Sequence, residues 1–351
     1  MSSTLSPKGI EKDAEHFTPD VLQIDPEVET NHLCTFIRDQ VVNRFKRQGA
    51  VIGLSGGVDS AVISELLVRA LGPDRVLGLI LPEKESNQIS EIYARKQAGK
   101  LGIAVQKVDI TEQLKAFGVY EKRDAVIRSI FPEFDDSTHT FNICLPQNIL
   151  QKDRINYHSI TIVDENHNRK TARLLPKDWM AISACQNIKQ RTRMINLYAL
   201  AERNNYLVCG TTNKSEADQG FFVKCGDGGV DIEPIAHLYK TQVFQLARYL
   251  GVIGEIINRT PSPDTYSLPV SDQEFYFCLP YQVLDLALYA YEHQIQSARA
   301  AEVLSISEEQ LARIYKDIQA KARATWHLRA LPPSPDQTFL EQLSMDQAPM
   351  D

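Results

Sequence analysis

The string Ser55-Gly-Gly-Val-Asp-Ser60 follows an apolar stretch, Val51-Ile-Gly-Leu54, and precedes residues at helical spacing. Gly56 and Gly57 remove side chains where main-chain N–H groups must approach a ligand closely. The hydroxyls of Ser55 and Ser60 add polar contacts. At a helix N-terminus, where the dipole favours negative charge, this combination suits an anion such as phosphate. Asp59 is out of place beside a phosphate unless a cation lies between them, and Mg²⁺ is the usual one. A plain strand-to-helix turn also uses glycine, but the whole string after an apolar strand argues against it.

A Mg-nucleotide site needs donors for phosphate oxygens, carboxylates for the metal and cations for charge that builds in the transition state. The glycine loop supplies the first. A second informative stretch, Gly210-Thr-Thr-Asn-Lys-Ser-Glu216, is followed by Gly220-Phe-Phe-Val-Lys-Cys-Gly-Asp-Gly-Gly-Val-Asp231. Glu216 offers a second carboxylate, or is a solvated residue at a helix start. Lys224 and Lys240 could contact phosphates, or be ordinary surface lysines. Arg191 and Arg193 could clamp a phosphate, or form a solvated helix face. Each signal is weak alone; together, in one order along one chain, they point to nucleotide chemistry.

The elements that must position these residues alternate. A helix is predicted over 27–47, with Leu33, Phe36, Ile37, Val41 and Phe45 on one side. The strand at 51–54 leads to a helix carrying Val62, Ile63, Leu66, Leu67 and Leu71, which Gly72-Pro73 ends. A strand over 76–81, a helix over 85–101 and a strand over 105–110 follow. Strands and helices joined by short connections predict an α/β fold with a parallel sheet, and in such sheets ligands bind outside the carboxyl ends of the strands. The alternation breaks between about 112 and 176, a span read as an insertion or functional lid. Within it, Tyr157–Val163 and Arg169–Leu174 flank an Asn-rich turn and predict a hairpin. Regularity returns with a helix over 179–204, a strand over 206–210, a helix over 241–250 and a last helix over 307–326. Residues 1–28 read as a flexible N-terminal arm, 29–333 as the catalytic domain and 334–351 as a disordered tail.

The composition narrows the class. With 351 residues, 43% of them hydrophobic, the chain can bury a full core. A net charge of −7 and the lack of a basic block count against an electrostatic nucleic-acid binder. No apolar run approaches membrane-spanning length, and the polar start has no apolar signal segment. Six scattered cysteines without a C-x-x-C pair suit reduced thiols in a cytoplasmic protein.

Ser55 to Ser60 resembles the pyrophosphate loop of the N-type ATP pyrophosphatases. The stretch from Gly210 to Asp231 resembles the signature of one branch, the NAD synthetases, and the similarity runs from about 27 to 333 apart from the insertion. The resemblance implies a Rossmann-like adenine nucleotide alpha-hydrolase fold with helices on both faces of the sheet. It implies a ligase in which the nicotinate carboxylate of deamido-NAD attacks the α-phosphate of ATP. Pyrophosphate leaves an acyl-adenylate, and ammonia then displaces AMP. Carried over by position, Ser55, Gly56, Gly57, Val58, Asp59, Ser60, Thr211, Lys240 and Ser262 would bind ATP. Asp59 and Glu216 would hold Mg²⁺. Arg191, Lys224, Asp231 and His327 would contact deamido-NAD, and Asp59, Lys224 and Lys240 would take part in catalysis. The family pattern also implies a homodimer.

Three departures lie on the acceptor side: the long insertion, Leu328 where the family often has a cation, and the bulky stretch Gln273-Glu-Phe-Tyr-Phe-Cys-Leu-Pro280. They leave a second reading open, an adenylating amide ligase of the same fold acting on another carboxylate. Only about 50 residues precede the glycine loop, too few for the amidase domain of glutamine-dependent relatives. The expected nitrogen source is ammonia, free or delivered by a separate amidotransferase.

Overall fold

The computed structural model of the chain describes residues 17–152 and 157–333. The expected tail and residues 1–16 of the expected arm lie outside the described residues. Among the described residues the strands are β1 (Gly49–Gly53), β2 (Val76–Ile80), β3 (Ala104–Lys107), β4 (His139–Cys144), β5 (Ser159–Asp164), β6 (Arg169–Arg173) and β7 (Tyr206–Cys209). The main sheet has the order β3-β2-β1-β7, and every pair in it is parallel.

Alternation along β1 divides its side chains between two cores. Ala50 and Ile52 join the cluster beneath the helices Pro26–Arg38, Val58–Leu71 and Lys240–Leu250. Val51 joins the opposite cluster, with Leu114, Tyr120, Cys185 and Leu200. β7 splits the same way, Leu207 and Cys209 on the first face and Val208 on the second. The period of two fixes the register, because a one-residue slip would exchange the faces. Replacing a fully buried residue such as Ile52 with alanine should cost about 2–5 kcal/mol. β3 forms an exposed edge, with Lys107 paired to Glu91 over 2.8 Å.

Several predicted boundaries move for local reasons. The helix predicted over 27–47 is α-helical only over Pro26–Arg38 and widens into a π-turn at Asp39–Arg44. The helix predicted from 85 starts at Gln88, because Asn87 caps it by accepting the Ile89 N–H over 3.0 Å. The strand predicted to reach 110 ends at Lys107. Within residues 17–28 of the expected arm, Phe17 and Leu22 pack into the fold. Phe17 is fully buried and stacks on Tyr289 with ring centroids 6.0 Å apart, and Pro19–Leu22 forms a 3₁₀ turn.

The span 112–176 holds regular structure. Helices Thr111–Ala116 and Val119–Ile130 precede a three-stranded antiparallel sheet, β4-β5-β6. The predicted hairpin is β5-β6. β4 adds to it with Phe141 opposite Ile162 and Ile143 opposite Ile160. These side chains share a cluster with Ile127, Phe131 and Tyr266, so the small sheet leans on the loop that follows the main fold.

Candidate active site

β1 and β7 are adjacent and parallel, so the segments leaving their carboxyl ends meet. After β1 the chain turns through Ser55–Gly57 into the Val58–Leu71 helix. Gly56 has a φ of +72°, and a Cβ there would come within 2.3 Å of the Ser90 carbonyl oxygen. Only glycine fits this position. Ser55 Oγ accepts the Gly57 N–H over 3.2 Å and lies 3.1 Å from Ser60 Oγ. After β7, Asn213 caps the short helix Lys214–Gln219, accepting the Glu216 N–H over 3.1 Å; the Glu216 carboxylate reaches back to the Asn213 N–H. The cap therefore orients Glu216.

Lys240 joins the two sides. Its ammonium lies 2.6 Å from Asp59 Oδ2 and 3.2 Å from Glu216 Oε1, and its side chain is only 2% exposed. Asn213 Nδ2 donates to the other Asp59 oxygen over 3.1 Å. Asp272, held by the Tyr281 hydroxyl at 2.9 Å, adds a third carboxyl, this one buried. Burial opposes the Lys240 charge, but Asp59, Glu216 and Asp272 outweigh it and raise its pKa above the ordinary lysine value. Glu216 is pushed up to about 8 by burial and by Asp59 and Asp272, against the pull of Lys240. Three carboxyl groups crowd around one ammonium, and this crowding adds to burial in raising the Glu216 pKa; a cation would relieve it, and hard oxygen donors of this kind suit Mg²⁺.

These residues line one end of a cavity of about 870 Å³. Ser55, Gly57, Val58, Asp59, Ser60, Thr211, Glu216, Lys240 and Ser262 all line it, as do Arg191, Lys224 and His327. Gly56 does not; it shapes the turn. Asp231 also lies outside the cavity wall. Its carboxylate accepts the Val208 N–H at 2.7 Å and the Tyr198 hydroxyl at 3.1 Å, which fixes β7 against the long Pro176–Asn204 helix. Lys224 donates to the carbonyls of His327 and Ala330 at 2.9 and 2.8 Å, while Arg191 donates to the Lys224 carbonyl at 3.3 Å. The Ser262 hydroxyl donates to the Val270 carbonyl over 2.8 Å and closes its own loop.

Further residues line the cavity, some of them outside any motif. Arg259 donates to Ser90 Oγ over 3.0 Å and faces the glycine loop. Arg193 sits at the cavity wall with its guanidinium on the Leu81 carbonyl and on Gln190; burial lowers its pKa, although Glu83, Asp264 and Asp227 lie near. Burial pushes Asp227 up to about 6. Gln186 lines the cavity and is 6% exposed, yet neither of its buried amide atoms pairs with a protein group. Trp179, Phe221, Phe275 and Tyr276 form an aromatic wall, which gives the bulky stretch at 273–277 a place. Arg259 and Gln186 were hidden because a lone arginine or glutamine has no spacing to read; Asn213 could have been found from the Asn-x-x-Glu capping pattern.

Comparison with known proteins agrees with this geometry. A family model described as NAD synthase matches residues 29–129 and 123–330. The NH(3)-dependent NAD(+) synthetase of Mesorhizobium japonicum is 43% identical over 312 residues, covering 89% of this chain and 97% of that protein. The protein of the same name from Thermotoga maritima is 39% identical over 262 residues, covering 74% and 85%. Among solved structures, the NMN synthetase from Francisella tularensis has a TM-score of 0.62 at 24% identity, over 90% of this chain and all (100%) of that one. The NH3-dependent NAD synthetase from Campylobacter jejuni has a TM-score of 0.57 at 22% identity, over 89% and 99%. The two structures share the fold, a parallel α/β sheet of the adenine nucleotide alpha-hydrolase type. The loop, the convergent carboxylates and the match over most of its length together place the chain in the NAD synthase family.

Proposed function

We infer that the protein makes NAD from deamido-NAD, ATP and ammonia, through an acyl-adenylate, releasing AMP and pyrophosphate. The observation that carries the reading is the meeting of Asp59, Glu216 and Lys240 beside the Ser55–Ser60 loop in a chain of this family. The relatives named for NH3 dependence match along nearly their whole length, which favours ammonia over glutamine.

The loop N–H groups and the Ser55 and Ser60 hydroxyls hold the ATP phosphates, with Thr211, Ser262 and Lys240 completing the nucleotide end. Asp59 and Glu216 would hold Mg²⁺, which when bound offsets negative charge on the phosphates. The buried Lys240 ammonium stays charged and faces the same end, where it stabilises charge on the departing pyrophosphate. Arg191 and His327 contact deamido-NAD near the cavity mouth. Lys224 reaches it by exchanging a carbonyl partner, and Asp231 acts from behind by supporting β7. The aromatic wall excludes water from the adenylate. The exposed apolar residues Leu175, Met180 and Ile195 at the start and along the length of one helix suit a homodimer. No helix among the described residues is long and apolar enough to cross a membrane, and all six cysteines are unpaired, which suits the cytoplasm.

The test supplies purified protein with Mg-ATP, deamido-NAD and ammonium, with glutamine replacing ammonium in parallel, while NAD, AMP and pyrophosphate are followed. NAD should form with ammonium. ATP cleavage supported only by another carboxylate, such as the mononucleotide acid, would assign the protein to the second ligase reading.

A further inference from the structure

Outside the cavity wall, Glu29, His32 and His237 bring three ligand atoms within 4.8 Å of one another. His237 Nε2 lies 2.8 Å from Glu29 Oε1, and His32 Nδ1 lies 3.4 Å from the same oxygen. The two histidine rings approach at 6.1 Å between centroids, nearly edge to face. Glu29 and His32 are one turn apart on the Pro26–Arg38 helix; His237 comes from the segment just before Lys240.

Both backbones are held firmly. The helix buries Thr30, Leu33 and Ile37 on its other side, and Ile235 and Leu238 are buried on either side of His237. The ligand spacing is therefore set by packing, so little rearrangement is needed on binding. Two imidazoles and one carboxylate form a donor set for a borderline divalent cation, Zn²⁺ first, with a remaining position open to water. Mg²⁺ prefers all-oxygen donors and would not compete well here.

We propose that Glu29, His32 and His237 form a surface Zn²⁺ site that clips the N-terminal helix to the segment leading into Lys240. The site is separate from the carboxylates at the nucleotide end and goes beyond the amidation reaction.

Zinc binding to the full chain would be titrated against a chromophoric chelator, with excess Mg²⁺ and ATP present to occupy the carboxylates of the cavity. One equivalent should bind with micromolar affinity or tighter. His32→Ala and His237→Ala should each weaken that equivalent at least about tenfold, as expected for loss of a ligand. In zinc-free buffer both variants should keep wild-type melting temperature and amidation rate, since both histidines are exposed and neither lines the cavity. With zinc at about a hundredfold excess over its Kd, the wild type should melt about 2 °C or more higher, and each variant should shift by about half as much or less. Zinc bound equally well by wild type and both variants, or only at millimolar concentration, would overturn the site.

Discussion

The Ser215 hydroxyl donates to the buried Asp285 carboxylate over 2.6 Å and accepts the main-chain N–H of Lys240 over 3.0 Å. The other Asp285 oxygen accepts the Thr241 N–H at 2.8 Å. One carboxylate from the Tyr281–Glu292 helix thus ties the start of the Lys240–Leu250 helix to the turn that carries Glu216. Asp285 must accept at both oxygens, which an amide cannot do. Asp285→Asn should therefore lower kcat roughly tenfold or more, with a smaller change in KM for ATP, and cost about 1–3 kcal/mol in urea unfolding. An unchanged kcat would separate this network from Lys240.

Asp59→Asn and Glu216→Gln should each nearly abolish turnover. Both keep side-chain shape, and Glu216→Gln also relieves a crowded negative site. Without nucleotide the melting temperature should hold or rise for Glu216→Gln and fall for Asp59→Asn, which takes the 2.6 Å partner from the buried Lys240 ammonium, while NAD formation disappears in both. Wild-type rates in both variants would remove these carboxylates from the reaction.

Gln186 buries an amide that pairs with no protein group, a costly arrangement unless a ligand uses it. Gln186→Leu should leave stability unchanged or raise it by about 1 kcal/mol, while KM for deamido-NAD rises several-fold. Steady-state kinetics beside thermal melts would test both signs. Lower stability with unchanged KM would make Gln186 a purely structural residue.

Beneath the cavity, Lys189 is fully buried and lies 2.8 Å from Glu83 and 2.7 Å from Glu85; it also donates to the Thr265 carbonyl at 3.0 Å. Burial opposes ionisation of Glu83, but Lys189 more than compensates and holds its pKa below the usual glutamate value. Lys189→Met would leave Glu83 buried with no cation beside it, while Glu85 keeps Arg123 at 2.6 Å, and chemical denaturation should show a loss of about 3–5 kcal/mol. The loop at 260–266 should also become protease-sensitive, because one of its carbonyls loses its partner.

His158 stacks on Trp179 with centroids 3.6 Å apart, and burial, with the nearby Lys321 charge, lowers its pKa from 6.5 to about 4. Between those values the unfolded chain binds the proton that the folded chain refuses. This contribution to stability is present above about pH 6.5 and is lost as pH falls through about 4, up to about 3 kcal/mol in total. His158→Phe keeps the stacking and should flatten the acid limb of the stability–pH curve; identical slopes would show that the imidazole is not responsible.

The nucleotide end was legible because its parts are contiguous. Ser55–Ser60 and Gly210–Glu216 each occupy one strand-to-helix turn, and parallel pairing of β1 with β7 brings them together. The acceptor end was less so. Trp179 and Gln186 share the Pro176–Asn204 helix, but Phe221 and Phe275 come from separate elements, and no motif links the four. β4 was missed because it pairs with a strand across a connection of irregular length. Asp231 and Gly56 lie within readable motifs, but their parts in the scaffold show only in three dimensions: one holds β7, the other clears a neighbouring carbonyl.

That carbonyl belongs to Ser90, in the helix of the next βα unit. The glycine loop is therefore not a portable cassette. Its shape is moulded against a wall that the ribosome makes later, and the wall is itself fastened by Asp264 and Arg259 from much farther along the chain. A peptide or graft carrying only 49–71 would hold every letter of the motif and lack the mould. Phosphate affinity should emerge late in assembly, as the 259–264 loop docks, and not when the motif leaves the tunnel.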